Sequence, residues 1–251
     1  MIIIKIYIRK FQIVILVDNN NDINTLVQGL IFDLDGTLIK SVVNFPKMKN
    51  EMIEFIKELD LPKISYSIEQ TTNEIILDLN EKMISNNISE ENRIKIFNSI
   101  SKILTKVEFE NVQNVQLLPG VKELLAYCQK VKINMGILTR ASREYTIKCL
   151  EITGINSYFD TVFTRDDFTL LRAKPHPIAL KTVIGKLKVD PKKLLFIGDH
   201  KIDFMCAQNG DVRFVGVLSG AYDPKKLKQL GCWKVVEDFF ELAKLIKEIN
   251  N

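Results

Sequence analysis

The chain has little of what builds disulfide scaffolds, zinc sites, membrane spans or nucleic-acid arms. Its four cysteines, Cys128, Cys149, Cys206 and Cys232, form no C-x-x-C pair, and the Cys/His spacing matches no zinc site. They read as free thiols in a reducing compartment, so the expected localisation is cytoplasmic. The net charge is only +4, with Lys and Arg scattered through the chain. Without a basic block or an interleaved basic and aromatic stripe, a nucleic-acid partner is not expected. Nor is a membrane, because no apolar run reaches the roughly 20 residues of a span. Glycine is missing from Pro46 to Val112. What is present is 251 residues, 46% of them hydrophobic, enough for one full core and a modest insertion.

The N-terminal segment Met1–Val17 is rich in Ile and Val but broken by Lys5, Arg9, Lys10 and Gln12. It lacks the charge, apolar core and cleavage-site order of a secretory signal. Ile4, Ile6 and Ile8 alternate with Lys5, Tyr7 and Arg9, which predicts a strand. That strand either pairs at the edge of a sheet or belongs to a weak organelle-targeting segment. Residues 1–27 are read as an extension outside the chemistry, with Asn19–Asn24 as its linker.

The chain is organised around Gly29–Leu38. Leu30, Ile31 and Phe32 are the kind of run that makes a buried parallel strand. The run stops at Asp33, Asp35 follows, and Gly36 permits a turn. Residues i and i+2 of an extended chain point to one side, so both carboxylates can converge where open α/β sheets bind ligands. Two such close acids repel unless a cation sits between them or one keeps its proton. A Mg²⁺ site that divides acid/base work between the carboxyls meets both conditions.

The string Asp33-Leu34-Asp35-Gly36-Thr37-Leu38 resembles the first motif of the haloacid dehalogenase-like (HAD) hydrolases. Later segments match that family in order. From Pro46 to about Val112 the pattern turns helical. Met52, Ile53, Phe55, Ile56 and Leu59 share one helix face, and Leu61-Pro62 ends that helix. Ser67-x-x-Gln70 is a candidate capping box for a second helix carrying Ile75, Ile76, Leu79 and Met83. Ser89 caps a third, with Ile94, Phe97, Ile100, Ile103 and Leu104. Leu118-Pro119-Gly120-Val121 opens a further amphipathic helix, and Ile133–Leu138 reads as a strand ending at Thr139. By itself a Thr at a strand end before Ser142 is more commonly a helix-capping residue, and Arg140 is either a solvated cation or an anion-binding guanidinium. Tyr158–Thr164 is a short expected strand. Lys174-Pro175-His176-Pro177 resembles the third motif; His176 contacts substrate or caps the helix that Pro177 opens. Leu194–Ile197 is another buried strand. After it, Gly198-Asp199-His200-Lys201-Ile202-Asp203 fits the fourth motif, and Val212–Leu218 reads as the last core strand.

The resemblance spans residues 28–245, looks closest to the phosphoglycolate phosphatase-like group, and implies a Rossmann-like three-layer α/β fold around a parallel sheet. It implies a core of residues 28–45 and 113–251, with a small helical cap, residues 46–112, inserted after the first strand. It also implies Asp33 as nucleophile, Asp35 as general acid/base, and Thr139 and Lys174 as further catalytic groups. Arg140, Gly36 and His176 are then candidate substrate contacts. Asp33, Asp35, Asp199 and Asp203 are the implied metal set for Mg²⁺, with Asp35 acting through its backbone carbonyl. The implied activity is hydrolysis of a small phosphorylated metabolite. A phosphomutase and a non-catalytic binding domain are the alternatives; Asp35 argues against a dehalogenase. Lys40 departs from the family, many of whose members carry Asp there. Lys47, Lys49 and Arg93 are cap cations that face either site or solvent.

Overall fold

The structure, a computed structural model, describes residues 2–8, 11–17, 26–59, 61, 65–219 and 223–250. Strands β1 (Ile2–Ile8) and β2 (Phe11–Val17) pair antiparallel, with Ile4 opposite Ile15. They form a two-stranded sheet of their own, so the pairing at the edge of the main sheet does not occur. The expected linker Asn19–Asn24 lies outside the described residues.

The main sheet starts at β3 (Gly29–Phe32), whose four residues are all buried. Next come β4 (Ile39–Lys40), α1 (Phe45–Lys57), α2 (Thr72–Ser85), α3 (Glu90–Phe109) and β5 (Gln116–Leu117). The chain continues through α4 (Val121–Lys130), β6 (Asn134–Leu138), α5 (Arg143–Thr153), β7 (Thr161–Phe163) and α6 (Pro177–Leu187). It finishes with β8 (Leu194–Gly198), α7 (Lys201–Asn209), β9 (Arg213–Val217), α8 (Pro224–Gln229), β10 (Lys234–Val236) and α9 (Phe239–Asn250). Six parallel strands lie in the order β10-β9-β8-β3-β6-β7. After β3 the chain builds outward through β6 and β7, then returns to the other side of β3 for β8, β9 and β10. That reversal puts β3 at the switch point, where such sheets bind ligands at their carboxyl ends.

Alternation along β3 sets the layers. Leu30 and Phe32 pack into one cluster with residues of α4, α5 and α9, including Leu124, Tyr145 and Leu242. Ile31 faces the opposite cluster, with Leu180 and Val183 of α6 and Cys206 and Ala207 of α7. The fold is therefore a three-layer α/β sandwich. Residues 212–218 do not hold the last strand, as the sequence suggests, because β10 pairs beyond β9. With three residues and only Val236 buried, β10 carries no apolar run to mark it.

Helices α1–α3 form an insert with its own core, in which Met48, Met52, Ile75, Leu79, Ile100 and Leu104 meet. Its two stems cross as β4 and β5, paired antiparallel. The α2 capping box is Thr71–Glu74, not Ser67–Gln70. The Thr71 hydroxyl accepts the Glu74 N–H at 3.2 Å and Glu74 accepts the Thr71 N–H at 2.7 Å. Ser67 and Gln70 close a turn just before it, the Gln70 side chain accepting the Ser67 N–H at 3.0 Å. Ser89 does cap α3, accepting the Asn92 N–H at 3.3 Å. Ile94 sits six residues before Ile100, off the 3.6-residue stripe, and is exposed. Helix α1 ends at Lys57, and Pro62 lies outside the described residues.

Candidate active site

Three neighbouring strands end in the candidate residues. Asp33 follows β3, Thr139 follows β6 and Asp199 follows β8. The Asp33 N–H still donates to Ile197 O at 3.0 Å and the Thr139 N–H to Phe163 O at 3.0 Å. The sheet ladder thus holds the backbone of both residues to the point where their side chains leave it. Lys174 brings two of the acids together: its ammonium bonds Asp33 Oδ1, pairs with Asp203 Oδ1 at 2.6 Å, and donates to Leu138 O at 3.1 Å. Asp203 Oδ2 accepts the His200 N–H at 3.0 Å, closing the first turn of α7. Asp199 Oδ1 accepts the Thr37 hydroxyl at 3.0 Å.

Gly36 earns its place by what it leaves empty. Its φ is +80°, and a Cβ there would lie 2.5 Å from Asp199 Oδ2. It is not among the residues bordering the cavity, and its carbonyl accepts the Ser219 hydroxyl at 3.0 Å. Gly198 likewise leaves room for Asp203, whose Cβ would be 2.5 Å from an added methyl.

Asp33, Asp199 and Asp203 are all buried and place one oxygen each within 4.8 Å of the others. Burial raises the Asp33 carboxyl to about 6, although Lys174 pulls the other way. Burial, then the charges of Asp203 and Asp33, hold Asp199 well above the usual carboxylate range. Burial alone would lower Lys174, but Asp203 and Asp33 outweigh it and raise its affinity for a proton. Three crowded acids balanced by one ammonium leave uncompensated negative charge. Their hard oxygen donors suit Mg²⁺, which needs few protein carboxylates and keeps waters. The donor set therefore fits the ion.

The Asp35 side chain is outside that cluster. Its Oδ1 accepts the Tyr145 hydroxyl at 2.9 Å. Burial raises Asp35 to about 7, while hydrogen bonds from Ser41 and Tyr145 act against the rise. A carboxyl so placed is divided between its acid and base forms near neutrality, as two-way proton transfer requires.

These groups border a cavity of about 370 Å³. Thr139, Arg140 and Lys174 line it from the sheet side, and Phe45, Met48, Thr71, Thr72 and Leu104 from the insert. Arg140 Nη1 donates to Asn73 Oδ1 of α2 at 3.1 Å and also bonds the Lys174 carbonyl. Burial and the nearby Arg165 lower Arg140 to about 10, so it remains a cation at neutral pH. Lys201 Nζ donates to Glu74 Oε1 at 2.9 Å, a second tie to α2. Lys49 reaches the cavity; Lys47 pairs with Glu110, and Arg93 does not border the cavity. His176 is exposed, caps α6 by accepting the Ile178 N–H at 3.2 Å, and does not border the cavity.

The family model described as haloacid dehalogenase-like hydrolase matches residues 30–217. That match takes in β3 from Leu30 on, every later strand to β9, and all four carboxylates. The chain belongs to the haloacid dehalogenase-like hydrolase family. The pyrophosphatase PpaX of Oceanobacillus iheyensis is 27% identical over 220 residues, covering 88% of this chain and 97% of the relative. The phosphoglycolate phosphatase of Yersinia pestis is 26% identical over 195 residues, 77% of this chain and 82% of its own. A hydrolase of known structure from Pseudomonas syringae superposes with a TM-score of 0.61 at 24% identity, covering 89% of this chain and all of that one, which speaks for the fold. This HAD hydrolase is thus of the branch whose curated relatives are phosphatases. No helix among its described residues is long and apolar enough to cross a membrane.

Three residues of the site escape a reading of the sequence: Tyr145, Glu108 and Arg165. Tyr145 lies on the apolar face of α5 and looks like core. Glu108 falls one residue after Val107 and four after Leu104, on the buried stripe of α3. A carboxylate on an apolar stripe is a signal, but it names no partner. Arg165 sits beside Asp166 and Asp167, where a local ion pair is the simpler reading.

Proposed function

We propose that this hydrolase is a Mg²⁺-dependent phosphatase acting on a small phosphomonoester through an aspartyl-phosphate intermediate. The observation that carries the reading is the meeting of Asp33, Asp199, Asp203 and Lys174 at the carboxyl ends of adjacent strands, beneath a cavity walled by the helical insert. Residues 46–112 would form the cap, and residues 28–45 with 113–251 the catalytic core.

Asp33 is the nucleophile: a carboxylate oxygen attacks phosphorus in line with the leaving oxygen. The Lys174 ammonium, already bonded to Asp33, holds that carboxylate in place and offsets charge on the phosphoryl group. Asp35 gives its proton to the departing alkoxide. It then takes a proton from the water that attacks the phosphorus of the aspartyl-phosphate, restoring both acids. The Thr139 hydroxyl and Arg140 guanidinium, which line the cavity, would donate hydrogen bonds to the phosphoryl oxygens. Asp33, Asp199 and Asp203 would hold Mg²⁺, with the Asp35 backbone carbonyl as a further ligand. When bound, the ion supplies charge neutralisation for the phosphoryl oxygens. The insert walls the cavity and would exclude bulk water from the intermediate. The placement of His176 favours its helix-capping role over a substrate contact.

The curated relatives name phosphoglycolate and pyrophosphate as first candidates for an assay. The test is phosphate release from a panel of small phosphomonoesters and pyrophosphate, with and without Mg²⁺, beside Asp33→Asn. Release that needs Mg²⁺ and vanishes in the variant is expected. Full activity in Asp33→Asn would sink the assignment. Phosphate transfer between two positions of a sugar without net release would point to a mutase.

A further inference from the structure

Between the insert and the sheet lies a buried ion pair that the proposed chemistry leaves unused. Glu108, in the last turn of α3, and Arg165, just after β7, are 3% and 2% exposed. Arg165 Nη1 donates to Glu108 Oε1 at 2.7 Å and Nη2 to Oε2 at 3.3 Å. Arg165 Nη2 also donates to Thr105 Oγ1 at 2.9 Å, one turn earlier on α3. A buried pair of this kind adds little net stability over apolar residues of the same volume. Its placement therefore asks for another reason.

The pair's remaining bonds supply one, because they fall on consecutive backbone groups of a single loop. Arg165 Nη1 donates to the Arg140 carbonyl at 2.9 Å. The Arg165 N–H donates to the Ala141 carbonyl at 3.0 Å. Glu108 Oε2 accepts the Ser142 N–H at 3.1 Å. The same loop begins with Thr139 and Arg140, the two cavity-lining groups proposed above to bind the phosphoryl oxygens.

We propose that Glu108 is a positioning residue. The insert delivers its carboxylate to Arg165, and together they clamp residues 140–142 so that Thr139 and Arg140 are held at phosphate-binding geometry. The inference rests on the phosphatase reading for what the loop binds, and on hydrogen bonds alone for what holds it. Glu108 and Arg165 border the cavity, but both Glu108 oxygens are spent on Arg165 and the Ser142 N–H, so the role assigned to Glu108 is to hold the loop. The clamp ties loop geometry to the seat of the insert, since one half of it comes from α3.

The experiment compares the parent with Glu108→Gln and with the volume-matched double variant Glu108→Leu/Arg165→Met. Each is followed by thermal melting, by hydrogen exchange of peptides covering residues 139–145, and by kcat and KM for p-nitrophenyl phosphate with Mg²⁺. The double variant is expected to melt no lower than Glu108→Gln, which leaves Arg165 buried without its counter-charge. It is nonetheless expected to exchange faster across residues 139–145 and to lose about 100-fold in kcat/KM. A merely structural pair predicts the reverse: the double variant regains parent activity along with parent stability. A folded double variant with parent exchange and parent kcat/KM would overturn the proposal. If it does not fold, Glu108→Gln decides by the same readouts. A parent that releases phosphate from no ester would overturn the phosphatase reading, while the exchange comparison would still decide whether the pair holds the loop.

Discussion

Tyr145→Phe removes a single oxygen from the interior, and its effect can be worked out from the contacts of that atom. The ring is fully buried and packs edge-on against Phe109, centroids 6.2 Å apart, so the variant keeps the packing. What it loses is the hydroxyl that donates to Asp35 Oδ1 at 2.9 Å. A hydrogen bond to a charged group contributes about 1.5–3 kcal/mol. At about 1.4 kcal/mol for each pKa unit, its loss raises the Asp35 carboxyl by about one to two units. Asp35 starts at about 7. At pH 7 its ionised share then falls from about half to between about 1 and 10%. Only the ionised form removes the proton from the attacking water, so hydrolysis of the aspartyl-phosphate slows by about 5- to 50-fold. Proton donation to the leaving oxygen is not slowed, because the protonated form becomes more abundant. The sign is therefore definite. The variant should accumulate phosphorylated enzyme at pH 7, and the rising limb of its pH–rate profile should move to higher pH. Rapid-quench measurement of the p-nitrophenol burst and of the later phosphate release reads both quantities. A folded Tyr145→Phe enzyme with parent burst, parent turnover and an unmoved profile would refute this role for Tyr145.

Two further perturbations probe the turn and the insert. Gly36→Ala places a methyl where Asp199 Oδ2 lies 2.5 Å away and forces an L side chain to φ +80°. The backbone conformation costs about 1–2 kcal/mol, or roughly 2–8 °C in melting temperature. Asp199 must also move, so half-maximal activity should require more Mg²⁺; a parent melting curve with a parent Mg²⁺ titration would contradict this. Glu74→Gln tests the α2 cap. Hydrogen bonds from the Thr71 N–H, followed by Lys201, lower Glu74 from 4.5 to about 2. Its folded-state pKa is depressed, so its stabilisation is complete above pH 4.5 and lost as pH falls through about 2. The melting temperature of Glu74→Gln should lie below the parent's at pH 6, and the gap should close on acidification. A gap that stays constant to low pH would mean that the charge of Glu74 contributes nothing.

The strands were legible where burial on both faces wrote an unbroken apolar run. Leu30–Phe32 and Leu194–Ile197 each stop at a short polar string, so the strand and its carboxylate could be read from one stretch of chain. Strand β10 could not, because Lys234–Val236 buries only Val236. The capping box failed for a related reason. Ser67-x-x-Gln70 and Thr71-x-x-Glu74 both satisfy the pattern, and only the second precedes the helical hydrogen bonds. His176 carried two readings, and its exposed place at the start of α6 gives the capping one a visible partner. Gly36 reads as a turn from its neighbours, but nothing beside it in sequence encodes the nearness of Asp199, far along the chain.

Asp33, Thr139, Lys174 and Asp199 each depend on a local frame: a strand end, or a short string that fixes the backbone. Their side chains converge because parallel strands place all their carboxyl ends on one edge of the sheet. Glu108, Arg165 and Tyr145 follow a different logic. Each is defined by a partner in another element, 57 residues away for Glu108 and Arg165 and 110 for Tyr145 and Asp35. No local frame encodes that distance. What the sequence does hold is the anomaly, since a carboxylate on the buried stripe of α3 must find a cation or strong donors. The cation it finds stands at the mouth of β7, beside the loop that carries Thr139. Through that side chain α3 takes hold of a backbone N–H 34 residues further along the chain. The buried charge on α3 is therefore better understood through the loop it reaches than through the helix it belongs to.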